Sequence, residues 1–290
     1  MAEDHGPESG VRGPSDGHER AHHRRRVELG TSVHPKTGEG ELNVIVCVKR
    51  VPDTEARIRI DDSGSGIETA GIKYDFSPYD AFAIEAALQV TEAAGEGEVT
   101  LVTLGEQSAQ ETLRKGLAMG ADRAVLLTGE SGMDGLATAK ALTRELEGSD
   151  ALLFLFGVRA ADDDQQQVGP MVAVLTGRPC VTGVASFEVD DDKAVCHREV
   201  EGGSEVVEVD LPAVLCMTKG PKEPRLAALK GIMAAKRKPL EQREAVGGDS
   251  RLRVKSLAEP EPRRAGRIVG EGPDAVPELV RLLREEANAL

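Results

Sequence analysis

Three carboxylates, one guanidinium and three side-chain amides fall between two glycines in Gly157-Val158-Arg159-Ala160-Ala161-Asp162-Asp163-Asp164-Gln165-Gln166-Gln167-Val168-Gly169-Pro170. The stretch follows Ala151-Leu152-Leu153-Phe154-Leu155-Phe156. That run has neither charge nor alternation, so it reads as a central strand covered on both faces. Gly157 turns the chain, and a helix is expected to start near Gln165 and continue through Met171-Val172-Ala173-Val174-Leu175. A strand, a polar loop and a helix N-terminus form the crevice in which open α/β sheets bind ligands. Free N–H groups and the positive end of the helix dipole suit a phosphate. The plainer alternative is that Asp162, Asp163 and Asp164 only cap the helix and face water.

The elements that must position this loop alternate along the chain. Asn43 to Val48 reads as the first strand, and Lys49-Arg50-Val51-Pro52-Asp53 as the turn leaving it, on the ligand crevice. Arg57-Ile58-Arg59-Ile60 alternates like a short half-exposed strand, with a turn at Gly64-Ser65-Gly66. Ser77-Pro78 opens a helix, Ser as N-cap and Pro at the first helical position, with Ala81, Ile84, Ala87 and Leu88 as its apolar stripe. Val99 to Leu104 is a strand ended by Gly105. Ser108-Ala109-Gln110-Glu111 has the capping-box pattern for a helix that Gly120 stops. Ala124 to Leu127 is a strand, and Asp134 can cap a helix reaching about Leu146. Beyond Pro170 the pattern turns to strands at Pro179–Phe187, Ala194–Val200, Glu205–Val209 and Ala213–Met217, with a hairpin turn at Gly202-Gly203. The expected fold is α/β: a doubly wound, mostly parallel, Rossmann-like sheet with a β-rich flank, then a C-terminal extended arm and helix.

Composition narrows the function. A net charge of −14 over 290 residues argues against a free-standing nucleic-acid binder. No apolar run approaches the roughly 18 residues of a membrane span, and the start lacks a signal peptide's apolar core. Cys47, Cys180, Cys196 and Cys216 show no metal spacing, so free thiols in a reducing cytoplasm fit. Residues 1–41 read as a disordered tail, rich in Gly, Pro, Ser and charge. They hold His5, His18, His22, His23 and His34; a metal-binding tract competes there with a solvated tail or an upstream start codon. His197 lies on a strand with no nearby nucleophile pair and reads as structural. Ser131-Gly132-Met133-Asp134 is similar to the Ser-Gly-Gly-x-Asp loop of ATP pyrophosphatases but lacks the second Gly, so it reads as a helix entry. No nucleophile–base set, metal set, GxGxxG or P-loop is found.

From Lys219 to Arg243 the charge reverses: Lys219, Lys222, Arg225, Lys230, Lys236, Arg237, Lys238 and Arg243 face only Glu223 and Glu241. This is either a solvated basic helix end or a docking surface for an acidic partner. Gly247-Gly248 reads as a linker, and Pro260, Pro262 and Gly266 as an extended arm. Pro277 to Arg284 is a final amphipathic helix with Leu279, Leu282 and Leu283 on one face, expected to pack on another chain.

Four stretches carry a family resemblance. The loop pattern Gly157-x-x-Ala160-x-Asp162-Asp163-Asp164-x-x-Gln167-x-Gly169, together with Val46 to Asp53, Gly116 to Arg123 and Glu223 to Met233, closely resembles the electron transfer flavoprotein beta subunit. The resemblance covers about Leu42 to Leu290, with the family's usual chain starting near Leu42. It implies an electron carrier with no bond-making active site of its own. Such a chain forms a heterodimer with an alpha subunit that holds the redox-active FAD. It accepts electrons from dehydrogenases such as acyl-CoA dehydrogenases and passes them to a quinone oxidoreductase. It implies a nucleotide site made of Cys47, Ser77, Leu104, Gly157, Arg159, Ala160, Asp162, Asp163, Asp164, Gln165, Gln166, Gln167 and Val168. It also implies a partner-docking set of Glu223, Pro224, Arg225, Leu226, Leu229, Ile232 and Met233, with Leu229 as the anchor. The implied division is a tail over 1–41, a nucleotide-binding domain over 42–246 with a recognition loop at 219–235, and an arm and helix over 247–290 on the partner subunit.

Two versions of the family differ at this pocket, one holding a structural AMP and the other a second FAD for electron bifurcation. Asp162-Asp163-Asp164 resembles the AMP type, because the bifurcating type has Gly where Asp163 stands; Gln167-Val168-Gly169-Pro170 resembles the bifurcating type. Gln165 and Ser77 both depart from the family, which often has a small hydroxyl or Cys at the first and an Asn at the second. AMP is favoured, since a Cβ and carboxylate at 163 restrict the approach of a bulkier group. The rival of another class is a free-standing nucleotide-sensing module similar to universal stress proteins, which would lack the arm and the Glu-Pro-Arg-Leu stretch.

Overall fold

Charge-free runs of Val, Leu, Ile and Phe make the middle of the sheet, and polar edges close it. The computed structural model describes residues 42–129, 132–262 and 265–290, and the backbone of a short strand at Val33–His34. The expectations for the 1–41 tail and its histidines, and for Ser131, otherwise lie outside the described residues. In order, the strands are β1 (Val33–His34), β2 (Val44–Cys47), β3 (Arg50–Pro52), β4 (Tyr74–Phe76), β5 (Val99–Gly105), β6 (Arg123–Thr128), β7 (Leu153–Gly157), β8 (Cys180–Asp190), β9 (Lys193–Val200), β10 (Gly203–Asp210), β11 (Ala213–Met217) and β12 (Leu240–Glu244). The helices are α1 (Pro78–Ala94), α2 (Ala109–Met119), α3 (Gly135–Leu146), α4 (Val168–Thr176), α5 (Leu229–Ala235) and α6 (Val276–Glu285).

The main sheet runs β10-β9-β8-β11-β7-β2-β5-β6-β12, with β1 beside β8. Pairing is parallel from β8 through β12 and antiparallel in the β8-β9-β10 flank. After β2 the chain moves to β5 on one side and later returns to β7 on the other, so the strand order reverses between β2 and β7. Their carboxyl ends therefore open the ligand crevice. Alternate residues of β7 serve opposite faces: Leu153 and Leu155 join the core under α1 and α2, and Phe154 and Phe156 the core under α3 and α4. Removing one such buried Leu costs about 2–5 kcal/mol.

Several local expectations change. The Arg57–Ile60 strand is absent, and only an Ile60–Ile67 bridge forms there. Two arginines and a 44% exposed Ile58 give that segment no face to bury, while Val51, at 1% exposure, anchors the β3–β4 hairpin instead. Ser108 does not cap α2; its own backbone is already helical, and the turn amides of Ala109 and Gln110 donate to Glu106 and Gln107 carbonyls. Helix α4 begins at Val168 because Asp164 and Gln166 adopt positive φ of 51° and 55°, which an α-helix cannot contain. The polar strand β12 is an edge strand held by its ladder to β6 and carries no hydrophobic signature. Asp134 caps α3 as expected, accepting from Ala137 N at 2.8 Å. Gly120, at φ 147°, ends α2.

The start of the arm is fixed to the domain. Gly247 lies so close to α3 that an added Cβ would sit 3.0 Å from Ala141 Cβ. Asp134 N donates to Ser250 Oγ at 2.7 Å, and Asp134 Oδ2 accepts from Arg251 N and Leu252 N. Leu257 N donates to Gly64 O at 2.8 Å. The glycine pair is thus a close approach against α3. On α6, Leu282 is buried, whereas Leu279 is exposed.

Candidate functional site

β2 and β7 pair in register from Val44–Leu153 to Cys47–Phe156, so both chains leave the sheet at one edge. A single carboxylate ties the two exits. Asp80, in the first turn of α1 and 5% exposed, accepts from Lys49 N at 2.7 Å and from Gly157 N at 3.0 Å. A Cβ at position 157 would stand 2.3 Å from Asp80 Oδ1, so only glycine fits. Burial pushes the Asp80 carboxyl up to about 7, against the pull of the two amides. Ser77 occupies the N-cap position but does not cap; its hydroxyl donates to Arg159 O at 3.0 Å and so holds the loop. Asp80 was missing from the sequence-derived set. An acid in a first helical turn signals only a dipole effect, and its real partners are 31 and 77 residues away.

The loop then folds on itself. Lys49 Nζ pairs with Asp162 at 2.8 Å and Asp163 at 2.9 Å. Burial pulls the Lys49 ammonium down, but the two carboxylates outweigh it and hold it above its usual range. Arg159 donates to Tyr79 Oη at 3.0 Å and pairs with Asp164 at 3.4 Å. Asp164 N donates to Ala160 O, and Gln165 Nε2 to Asp163 Oδ2. Gln167 contacts Gln165 and crowds Gly135 at the start of α3. None of the three carboxylates caps α4, so the capping alternative fails. The first-turn amides of α4 lack intrahelical acceptors, as in any helix.

Cys47, Ser77, Gly157, Arg159, Ala160 and Asp162 to Gln167 thus converge on one crevice, with Val168 opening α4 behind them. Leu104 stands at the end of β5, next to β2. Burial and Asp80 push the Cys47 thiol up, so it is not a nucleophile. The arrangement offers backbone N–H groups to a phosphate and carboxylates to a ribose, but no acid–base pair aimed at a common atom.

The basic segment is organised differently. Leu226, Leu229 and Met233 are 93%, 75% and 65% exposed, and Ile232 lies beside them. Arg225 points inward: Nε reaches Glu85 at 2.8 Å and Nη2 reaches Glu92 at 2.9 Å, both on α1. Glu223 pairs with Lys219, and Pro224 is half-buried. Lys238 Nζ donates to the carbonyls of Leu117, Gly120 and Ala121 at the end of α2. Arg243 pairs with Glu145 and Glu241. That leaves Lys222, Lys230, Lys236 and Arg237 as an exposed rim around the apolar side chains.

A family profile described as "Electron transfer flavoprotein domain" matches residues 65–246. The electron transfer flavoprotein subunit beta of Bradyrhizobium diazoefficiens is 39% identical over 251 residues, covering 86% of this chain and all of the relative. The mitochondrial subunit beta of Arabidopsis thaliana is 36% identical over 255 residues, with 86% and 100% covered. The Bacillus subtilis subunit beta is 35% identical over 260 residues, with the same coverage. The chain belongs to the electron transfer flavoprotein beta-subunit family. Among the described residues no helix is long and apolar enough to cross a membrane, and no cluster of His, Cys, Asp or Glu could hold a metal.

Proposed function

We propose that this chain binds one AMP in the β2–β7 crevice and forms a heterodimer with an FAD-bearing alpha subunit. As part of that pair it carries electrons from dehydrogenases, acyl-CoA dehydrogenases among them, to a quinone oxidoreductase, and it makes and breaks no bonds itself. The observation that carries the nucleotide assignment is the doubly tied loop: Lys49 on Asp162 and Asp163, and Ser77 on Arg159 O, at the strand-order reversal. Asp163, held by Lys49 and Gln165, carries a Cβ and carboxylate that restrict a bulkier group, which favours AMP. The exposed Leu229, ringed by Lys230, Lys236 and Arg237, is the anchor for an acidic-rimmed partner. Free thiols at Cys47, Cys180, Cys196 and Cys216 suit a reducing compartment such as the cytoplasm.

The test is co-purification with the alpha subunit, followed by denaturation and quantification of released FAD and AMP. One of each per heterodimer is expected. Two FAD and no AMP would convert the reading to the bifurcating type. Neither partner nor flavin would remove it and leave the nucleotide-sensing module.

A further inference from the structure

The buried carboxylate of α1 beside the exits of β2 and β7 meets the nucleotide loop through the backbone of its first residue, Gly157. One Asp80 oxygen accepts from Lys49 N, which opens the turn leaving β2, and the other from Gly157 N, the first residue of the nucleotide loop. A carboxylate is acceptor-only and satisfies both amides. Once protonated, one oxygen carries the O–H and is left a weaker acceptor, so the amide facing it is held less tightly. Asp80 is 5% exposed, so solvent has little access to that amide. Gly157 is in van der Waals contact with this group, so a displaced carboxyl displaces the loop's first residue.

We propose that Asp80 is a positioning residue acting as a proton-dependent clamp: charged, it holds the nucleotide loop in register with β2, and protonated, it loosens one strand exit and weakens nucleotide binding. The groups facing it are the Cys47 thiol at the end of β2, Lys49 from the turn that follows, and Asp162 from the loop. Lys49 is held by Asp162 and Asp163 and is above its usual range, so it stays charged through neutral pH. Burial places the Asp80 transition near neutrality, where a cell's pH can move it. The inference rests on the nucleotide reading above.

Two measurements on the full-length chain separate it from that reading. Backbone NMR between pH 5.5 and 8 follows the Lys49 and Gly157 amides, and calorimetry follows binding of adenosine, which has no phosphate to titrate. In the unmodified chain both amides are expected to shift with one common midpoint, and adenosine to bind about tenfold more weakly at pH 5.5 than at pH 8. Asp80→Asn, whose amide turns a donor toward one N–H, should bind adenosine at the weak level at every pH. If that variant does not fold, the titration of the unmodified chain decides alone. Amides that do not move with pH overturn the clamp. Amides that move while adenosine affinity stays constant overturn its link to the nucleotide. A chain that binds neither adenosine nor AMP at any pH overturns the nucleotide reading, and the amide titration still decides the clamp.

Discussion

The nucleotide crevice and the recognition loop are both tied to α1, one at Asp80 and the other at Glu85 and Glu92, and are built on opposite principles. The crevice satisfies its own polar groups: Asp80, Ser77, Lys49 and Arg159 each have partners within the chain. The recognition loop is fixed at its root by Arg225 and leaves Leu226, Leu229 and Met233 in solvent. One region is held by its own polar contacts, and the other presents apolar side chains to solvent. Both depend on an acid of α1, Asp80 for the first and Glu85 for the second, and the two acids respond to protons with opposite sign.

That contrast can be broken from its strongest point down. Gly157→Ala drives a methyl into Asp80 and should destabilise the chain by about 3 kcal/mol, measured by denaturant unfolding, with loss of AMP binding. Unchanged stability would mean the clamp yields and the crevice is not rigid. Arg225→Ala leaves Glu85, 8% exposed at its side chain, without its cation, and should cost about 2 kcal/mol. It should loosen the recognition loop while AMP binding is retained, so equal losses at both sites would merge the two regions into one. Leu229→Ala should leave unfolding within about 0.5 kcal/mol, since the side chain is exposed. It should weaken capture of a partner dehydrogenase about tenfold by surface-plasmon resonance. Full retention of that capture would remove the anchor role.

The pH dependence of unfolding sharpens the comparison most. Burial raises the Asp80 carboxyl from 3.8 to about 7 in the folded chain. Its contribution to stability is complete below about pH 4 and is lost as pH rises through 7. Charging Asp80 therefore costs the fold some stability while ordering the loop. For Glu85, burial pushes upward, but Arg225 and Gln89 outweigh it and hold the carboxyl below its ordinary range. Its contribution is present above pH 4.5 and is lost as pH falls through the lowered value. Asp80→Asn should flatten the unfolding profile between pH 4 and 7, and Glu85→Gln below 4.5. Identical profiles for the two variants would show that the two acids do not differ.

The sheet was legible because its central strands are charge-free runs and its helices carry regular apolar stripes. The loop's residues were legible as a set, but their arrangement was not. Asp164 and Gln166 take a left-handed conformation that glycine would have announced and they do not, so α4 seemed to begin earlier than it does. Strand β12 stayed hidden because an exposed edge needs no apolar alternation. Asp134 was readable as a helix cap, but its second task, receiving the arm at Arg251 and Leu252, joins segments more than a hundred residues apart. Arg225 read as part of a docking surface, yet nothing local shows that its guanidinium faces inward.

Helix α1 also works as a ruler. Asp80 and Glu92 are separated by about 18 Å of helix at 1.5 Å per residue. One fixes the nucleotide loop, and the other helps to fix the recognition loop through Arg225. The distance between those two points of attachment is then set by the length of a rigid rod.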